Sequence, residues 1–157
     1  MTADARCGIC ALIERIRTNS FDDFVAELAE SYVILGDAQF YRGYCVMLAK
    51  THATELFLMP SAEAHRIFEE LRLVAEAIAS VTKPWKLNYE CLGNAEPHVH
   101  WHIFPRYESD ALRRAPVWMR PEAERKVALP KAERAALVAA LREAIVARFP
   151  DARIAAN

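Results

Sequence analysis

Between residues 98 and 104 the chain reads His-Val-His-Trp-His-Ile-Phe, placing three of its five histidines at every second position. Imidazoles alternating with β-branched, aromatic and aliphatic residues predict a β-strand over His98–Phe104. Successive side chains on a strand point to opposite faces. His98, His100 and His102 therefore share one face, while Val99, Trp101 and Ile103 look into a core on the other. Pro97 and Pro105 bracket the run and suit strand ends rather than a central ladder position. A single histidine in such a run is most often a hydrogen-bonded filler. Three side by side gain little from shared burial and each needs its own polar partner, so they mark a functional face. Two chemistries fit. Neutral imidazoles can bind a catalytic metal, or one of them can be a nucleophile oriented by its neighbours.

The remainder of the chain supplies a frame for that strand. At 157 residues it is long enough for one domain with a proper core and no disulfide staples. A core over about residues 7–106 is expected, with an extension and a helix over 107–157. Ser31–Leu35 and Tyr44–Leu48 read as strands, with Phe24–Leu28 as a third and Lys86–Leu92 as a fourth. Ala11–Arg17 suits a short helix. The clearest helix opens at Pro60-Ser61, with Ser61 as N-cap, and runs to Lys83-Pro84. Ile67, Leu71, Val74 and Ile78 form its apolar stripe; Arg66, Glu69, Glu70, Arg72, Glu76 and His65 are expected in water. After Arg106 the chain reads as irregular through Trp118 until Pro130, where a terminal helix carries Leu137, Leu141, Ile145 and Phe149 on one side. Helix, strands, long helix, strands, helix is the order of an α+β domain: an antiparallel sheet of about five strands, with the long helix packed on it.

Charge and cysteine usage narrow the function. The net charge is −1 with acids and bases interspersed, which argues against a nucleic-acid surface while leaving room for a local basic pocket. No apolar run has signal-peptide or membrane-spanning character, so a cytoplasmic protein with no membrane partner is expected, and Cys7, Cys10, Cys45 and Cys91 should be reduced. Cys7-Gly8-Ile9-Cys10 is a CxxC knuckle, which suits half a zinc site, a redox pair or two buried thiols. No strand precedes it in the thioredoxin manner. Lys50-Thr51-His52 follows a strand end, from which a rigid frame can present a side chain.

The run from His98 to Phe104 resembles the signature of the histidine triad (HIT) nucleotide hydrolases and transferases. Asp37 followed fifteen positions later by His52 resembles the family's aspartate–strand–histidine stretch, and Asn88 and Gly93 match its asparagine and glycine before the triad. Cys7 and Cys10 match the CxxC of many members. Leu92 to Arg106 looks most like a bacterial branch labelled diadenosine polyphosphate hydrolase-like. One departure is Asn94, where the common pattern has glutamine; asparagine offers the same amide one methylene shorter.

The resemblance implies a mechanism and a site. His100 would attack the α-phosphorus of a nucleotide to give a nucleotidyl-histidine, released by water as a nucleoside monophosphate, with AMP favoured, or passed to another acceptor by a nucleotidyltransferase. His102 would donate to a non-bridging oxygen and His98 would orient the site. Asp37, Asn88 and Asn94 would contact the nucleotide. Cys7, Cys10, His52 and His98 would form a closed tetrahedron for a structural zinc ion, as those positions do in some relatives. No organic cofactor is implied. A homodimer built through the long helix and an edge strand is expected, with the terminal helix as a rival cover for that helix. A nucleotide-binding protein with vestigial catalysis is the alternative to an enzyme.

Overall fold

The computed structural model describes residues 7–154. Helix α1 (Gly8–Arg17) leads into β1 (Phe24–Glu27), β2 (Ser31–Leu35) and β3 (Cys45–Ala49). The long helix α2 (Ser61–Thr82) follows, then β4 (Lys86–Glu90), β5 (His100–Arg106), a single helical turn α3 (Glu122–Arg125) and α4 (Lys131–Val146). The strands form one antiparallel sheet in the order β1-β2-β3-β5-β4, so the architecture is the α+β one expected.

Strand alternation sorts the apolar residues into two cores. Val33, Leu35, Cys45, Met47, Trp101 and Ile103 face α2 and α4, which bring Ile67, Val74, Ile78, Leu141 and Ile145. Tyr32, Ile34, Val46, Leu48 and Phe104 face the other way, against Ile9, Ile13 and Ile16 of α1. The histidines occupy this second face. Both layers bury the sheet, which is why β2 and β3 are near-continuous apolar runs.

The histidine strand differs from the expected span. Regular pairing begins at His100, and Pro105 lies inside β5 rather than beyond it. The amide of Trp85 donates to the Arg106 carbonyl at 2.8 Å, so the backbone of even-numbered residues of β5 faces β4 and that of odd ones faces β3. Pairing with β3 ends at Cys45–Ile103. Pro105 therefore lacks its N–H on an edge where no strand asks for one. His98 and Val99 precede the strand, but Val99 is fixed by backbone bonds to Ala49 and Ala53 at 3.1 and 2.8 Å.

Two local expectations for α2 are corrected. Pro60 occupies the N-cap position and Ser61 is the first helical residue, with no side-chain cap bond. Proline fixes φ near the value the helix entry needs but supplies no capping acceptor. Glu70 is buried, not in water: its carboxylate accepts from the Glu30 amide at 2.8 Å and the Ser31 hydroxyl at 2.6 Å, tying α2 to the start of β2. His65 is exposed as expected. Helix α4 packs against α2 and β1, while Phe149 lies beyond its end and still joins the core. Past it, Arg153 and Glu27 exchange backbone hydrogen bonds, which caps the end of the β1 edge, and among the described residues no strand pairs with the outer edge of β4.

Candidate functional site

Alternation on β5 and its approach places the three histidines in a row, and hydrogen bonds fix their tautomers. His100 Nδ1 lies 2.6 Å from the His98 carbonyl, so Nδ1 carries the proton and the neutral ring has its lone pair on Nε2. That Nε2 is 3.1 Å from Nε2 of His102, which must then be the donor. His102 Nδ1 in turn accepts from the Tyr44 hydroxyl at 2.6 Å. One consistent chain runs from Tyr44 through His102 to His100 and ends on backbone. Burial holds His102 neutral, lowering its pKa from the ordinary 6.5 to about 4, with the neighbouring His100 adding to the shift and Asp37 opposing it.

Tyr44 reaches His102 because of a glycine. Its ring stacks on Phe104 at 4.1 Å between centroids and 5° between planes. A Cβ on Gly36 would sit 2.1 Å from that ring. Only glycine lets the two strand ends approach this closely.

His98 faces elsewhere. Its Nε2 donates to the Ala49 carbonyl at 2.8 Å, which leaves the Nδ1 lone pair aimed at Cys7 Sγ (3.5 Å), Cys10 Sγ (3.6 Å) and His52 Nδ1 (3.2 Å). His52 Nδ1 is also 3.4 Å from Cys10 Sγ. The four ligand atoms lie within 4.8 Å of one another, an arrangement that can hold a metal ion. The CxxC turn supports it: the Cys10 amide donates to Cys7 Sγ at 3.4 Å, and the Gly8 amide at the start of α1 donates to Glu96 at 2.9 Å. The three triad rings themselves do not converge on a common point, since His98 and His100 turn their Nδ1 atoms to different partners. This disfavours the triad as a catalytic metal site.

Residues 107–126 build the far wall. Arg106, fully buried on the histidine face, donates to Asn88, Asp110 and the carbonyls of Leu112 and Ala115 at 2.6–2.8 Å. Arg120 also pairs with Asp110, at 2.7 Å. This clamp folds the segment back so that the Trp118 ring stands perpendicular to His102, 5.9 Å between centroids, with its Nε1 donating to Glu90. Glu90 is the register partner of His102 across β4 and β5.

The expected nucleotide contacts fall around these groups unequally. Asp37 is exposed beside the histidine face, paired with Lys126 at 3.5 Å, and its charge acts on both Tyr44 and His102. Asn88 lies on the same face opposite Phe104, its Oδ1 held by Arg106. Asn94 sits in the exposed loop between β4 and β5.

The HIT domain model matches residues 17–109, well over half of the chain. The chain belongs to the HIT family. No functionally curated protein matches the sequence. Among solved structures, a histidine triad protein from Bradyrhizobium japonicum is 26% identical, with a TM-score of 0.69 over 79% of this chain and 92% of that one. A hypothetical histidine triad nucleotide-binding protein from Sulfolobus tokodaii (23% identical, TM-score 0.68, 88% and 91% covered) shares the fold. So does a Zn-bound histidine triad family protein from Mycobacterium smegmatis (19% identical, TM-score 0.65, 92% and 96% covered).

Several residues of this HIT site escape a reading of the sequence. Tyr44 reads as the first residue of an apolar strand, and Glu90 as one residue of the Lys86–Leu92 strand. Asp110 and Arg120 are charges in what reads as an irregular tail, and Arg106 ends the stretch that resembles the family without a role of its own. Trp118 reads only as part of the irregular segment before Pro130.

Proposed function

We propose that this HIT protein is a nucleotide hydrolase of the diadenosine polyphosphate hydrolase-like branch. It would cleave a dinucleoside polyphosphate or nucleoside phosphoramidate at the α-phosphorus through a nucleotidyl-histidine. The observation that carries the reading is the tautomer chain: it points the His100 lone pair, at Nε2, out of a ring anchored to backbone at Nδ1. Nε2 forms a bond to the α-phosphorus as the bond to the leaving group breaks, and the leaving group takes the electron pair. His102, kept neutral by burial and oriented as a donor at Nε2 by the Tyr44 hydroxyl, transfers its hydrogen bond from His100 to a non-bridging oxygen. Water then attacks phosphorus and breaks the P–N bond, giving a nucleoside monophosphate, with AMP favoured, and restoring neutral His100. Asp37, Asn88 and Asn94 are the proposed nucleotide contacts.

The metal is proposed to be structural zinc. Zn–S near 2.3 Å and Zn–N near 2.0–2.1 Å imply tetrahedron edges of about 3.3 Å between nitrogens and about 3.6 Å between nitrogen and sulfur. The observed separations of 3.2 Å and of 3.4, 3.5 and 3.6 Å fit these edges. All four corners would be protein atoms, and a closed site of this kind would tie α1 to the approach to β5 and supply rigidity, not Lewis acidity.

Replacing His100 with glycine tests the reading. Turnover should fall by on the order of 10³ or more while nucleotide affinity persists. A variant with near-normal kcat contradicts it.

A further inference from the structure

Residues 116–126 lie beyond the matched region, and Trp118 among them stands over the histidine face beside His102. Trp118 presents an edge to His102 and its Nε1 to Glu90. On its face lies Arg125, guanidinium carbon 4.6 Å from the ring centroid. A planar guanidinium stacked on an indole is held in orientation at little further entropic cost.

Arg125 differs from the cations around it. Arg106 and Arg120 are both engaged by Asp110, and Arg120 also by Glu124 at 2.9 Å. Lys126 pairs with Glu122 at 2.6 Å as well as with Asp37. Arg125 donates from Nε to the Arg120 carbonyl at 3.0 Å and, among the described residues, forms no ion pair. That bond anchors one end of the guanidinium and leaves the Nη1–Nη2 fork at the other. The positive charge acts on Tyr44 and Glu90, the two residues that flank His102, opposing the upward pull of burial on each.

We propose that Arg125 is the specificity residue for the leaving group. Its guanidinium fork contacts a departing phosphate and selects nucleotides that lose an anionic phosphate chain over those that lose an amine. The proposal rests on the nucleotidyl-histidine reading. With a polyphosphate, the bond between the α-phosphorus and the bridging oxygen breaks, and the electron pair stays on that oxygen as phosphate charge, which a guanidinium stabilises bidentately. With a phosphoramidate, the P–N bond breaks, the nitrogen takes a proton from solvent, and no anion forms for the fork to meet.

Arg125→Ala and Arg125→Lys, made in the full chain, should be assayed on diadenosine tetraphosphate and adenosine 5′-phosphoramidate with AMP as the common product. The expected result is a fall of about tenfold or more in the ratio of kcat/KM for the tetraphosphate to that for the phosphoramidate in Arg125→Ala, with partial recovery in Arg125→Lys. Proportional loss on both substrates, in either variant, identifies a merely structural residue and overturns the proposal, as does an unchanged ratio. A wild-type protein that cleaves the phosphoramidate alone overturns it too, while leaving the nucleotidyl-histidine intact. Absence of any covalent adduct in the wild type with either substrate overturns that reading, and this proposal with it.

Discussion

The Tyr44 hydroxyl donates to His102 Nδ1 at 2.6 Å, and this contact supports the tautomer in which His102 donates from Nε2 to His100. Replacing Tyr44 by phenylalanine keeps the stack on Phe104 but removes one of the two hydrogen bonds that hold His102 in its tautomer. Turnover should drop by about tenfold to a hundredfold, with KM little changed, because the hydroxyl orients the donor and does not meet substrate. Equal kcat in Tyr44→Phe and wild type would remove Tyr44 from the mechanism.

A methyl group at residue 36 should act on the same contact from outside the site. The Tyr44 ring is buried against Phe104 and has no room to retreat, so Gly36→Ala must shift either the ring or β3. Overpacking of this kind costs about 1–3 kcal/mol, and activity should fall together with melting temperature. A fully stable and active Gly36→Ala protein contradicts the packing described.

Much of this was legible beforehand, and the part that was not has a common cause. The alternation at His98–Phe104 gave the strand, its two faces and the order of the rings, because side-chain direction follows from the backbone period alone. The CxxC turn and His52 could be matched to His98 by resemblance. Tyr44 and Glu90 could not be found in that way: their places beside His102 depend on strand register, on Cys45 pairing with Ile103 and Glu90 with His102. Local sequence does not encode register. Trp118 depends on a buried clamp, Arg106–Asp110–Arg120, whose members come together only in the folded chain. Glu70 departs from the expected wet face for the same reason, since its partners lie in the loop before β2 and on β2 itself.

Metal removal should affect stability and spare the chemical step. Cys10→Ser should release about one equivalent of zinc and lower the melting temperature, with kcat at permissive temperature reduced far less than by loss of His100. Elemental analysis of metal-loaded wild-type protein is the check. A zinc-free preparation with unchanged stability would return Cys7 and Cys10 to ordinary thiols.

His102 also predicts a pH dependence of stability. Its pKa is depressed in the folded state, so between the ordinary 6.5 and about 4 the unfolded chain binds the proton more readily. Stability is then full above the unfolded value and is lost as pH falls through that window. Urea unfolding of wild type and His102→Gln at neutral pH and near pH 5 should show a steeper loss in the wild type. Parallel losses in both proteins contradict the assignment.

The open edge at β4 and exposed apolar side chains nearby lead us to expect a homodimer. Phe68 of α2 is 47% exposed and Tyr89 of β4 is 50% exposed, although α4 covers other parts of α2. Exposed apolar groups beside an unpaired strand edge mark an interface between copies. Light scattering at micromolar concentration should give twice the chain mass; a monomer would leave that surface unexplained.

The covalent intermediate is the central claim, and a denaturing quench reads it directly. Wild-type protein mixed with nucleotide labelled at the α-phosphorus, quenched in alkaline denaturant within a turnover and digested, should carry label on the peptide containing His100. The label should be stable to base and lost to acid, as a phosphoramidate is, and absent from His100→Gly. Turnover to a nucleoside monophosphate with no protein-bound label at any quench time, or a label at another residue, would contradict the account.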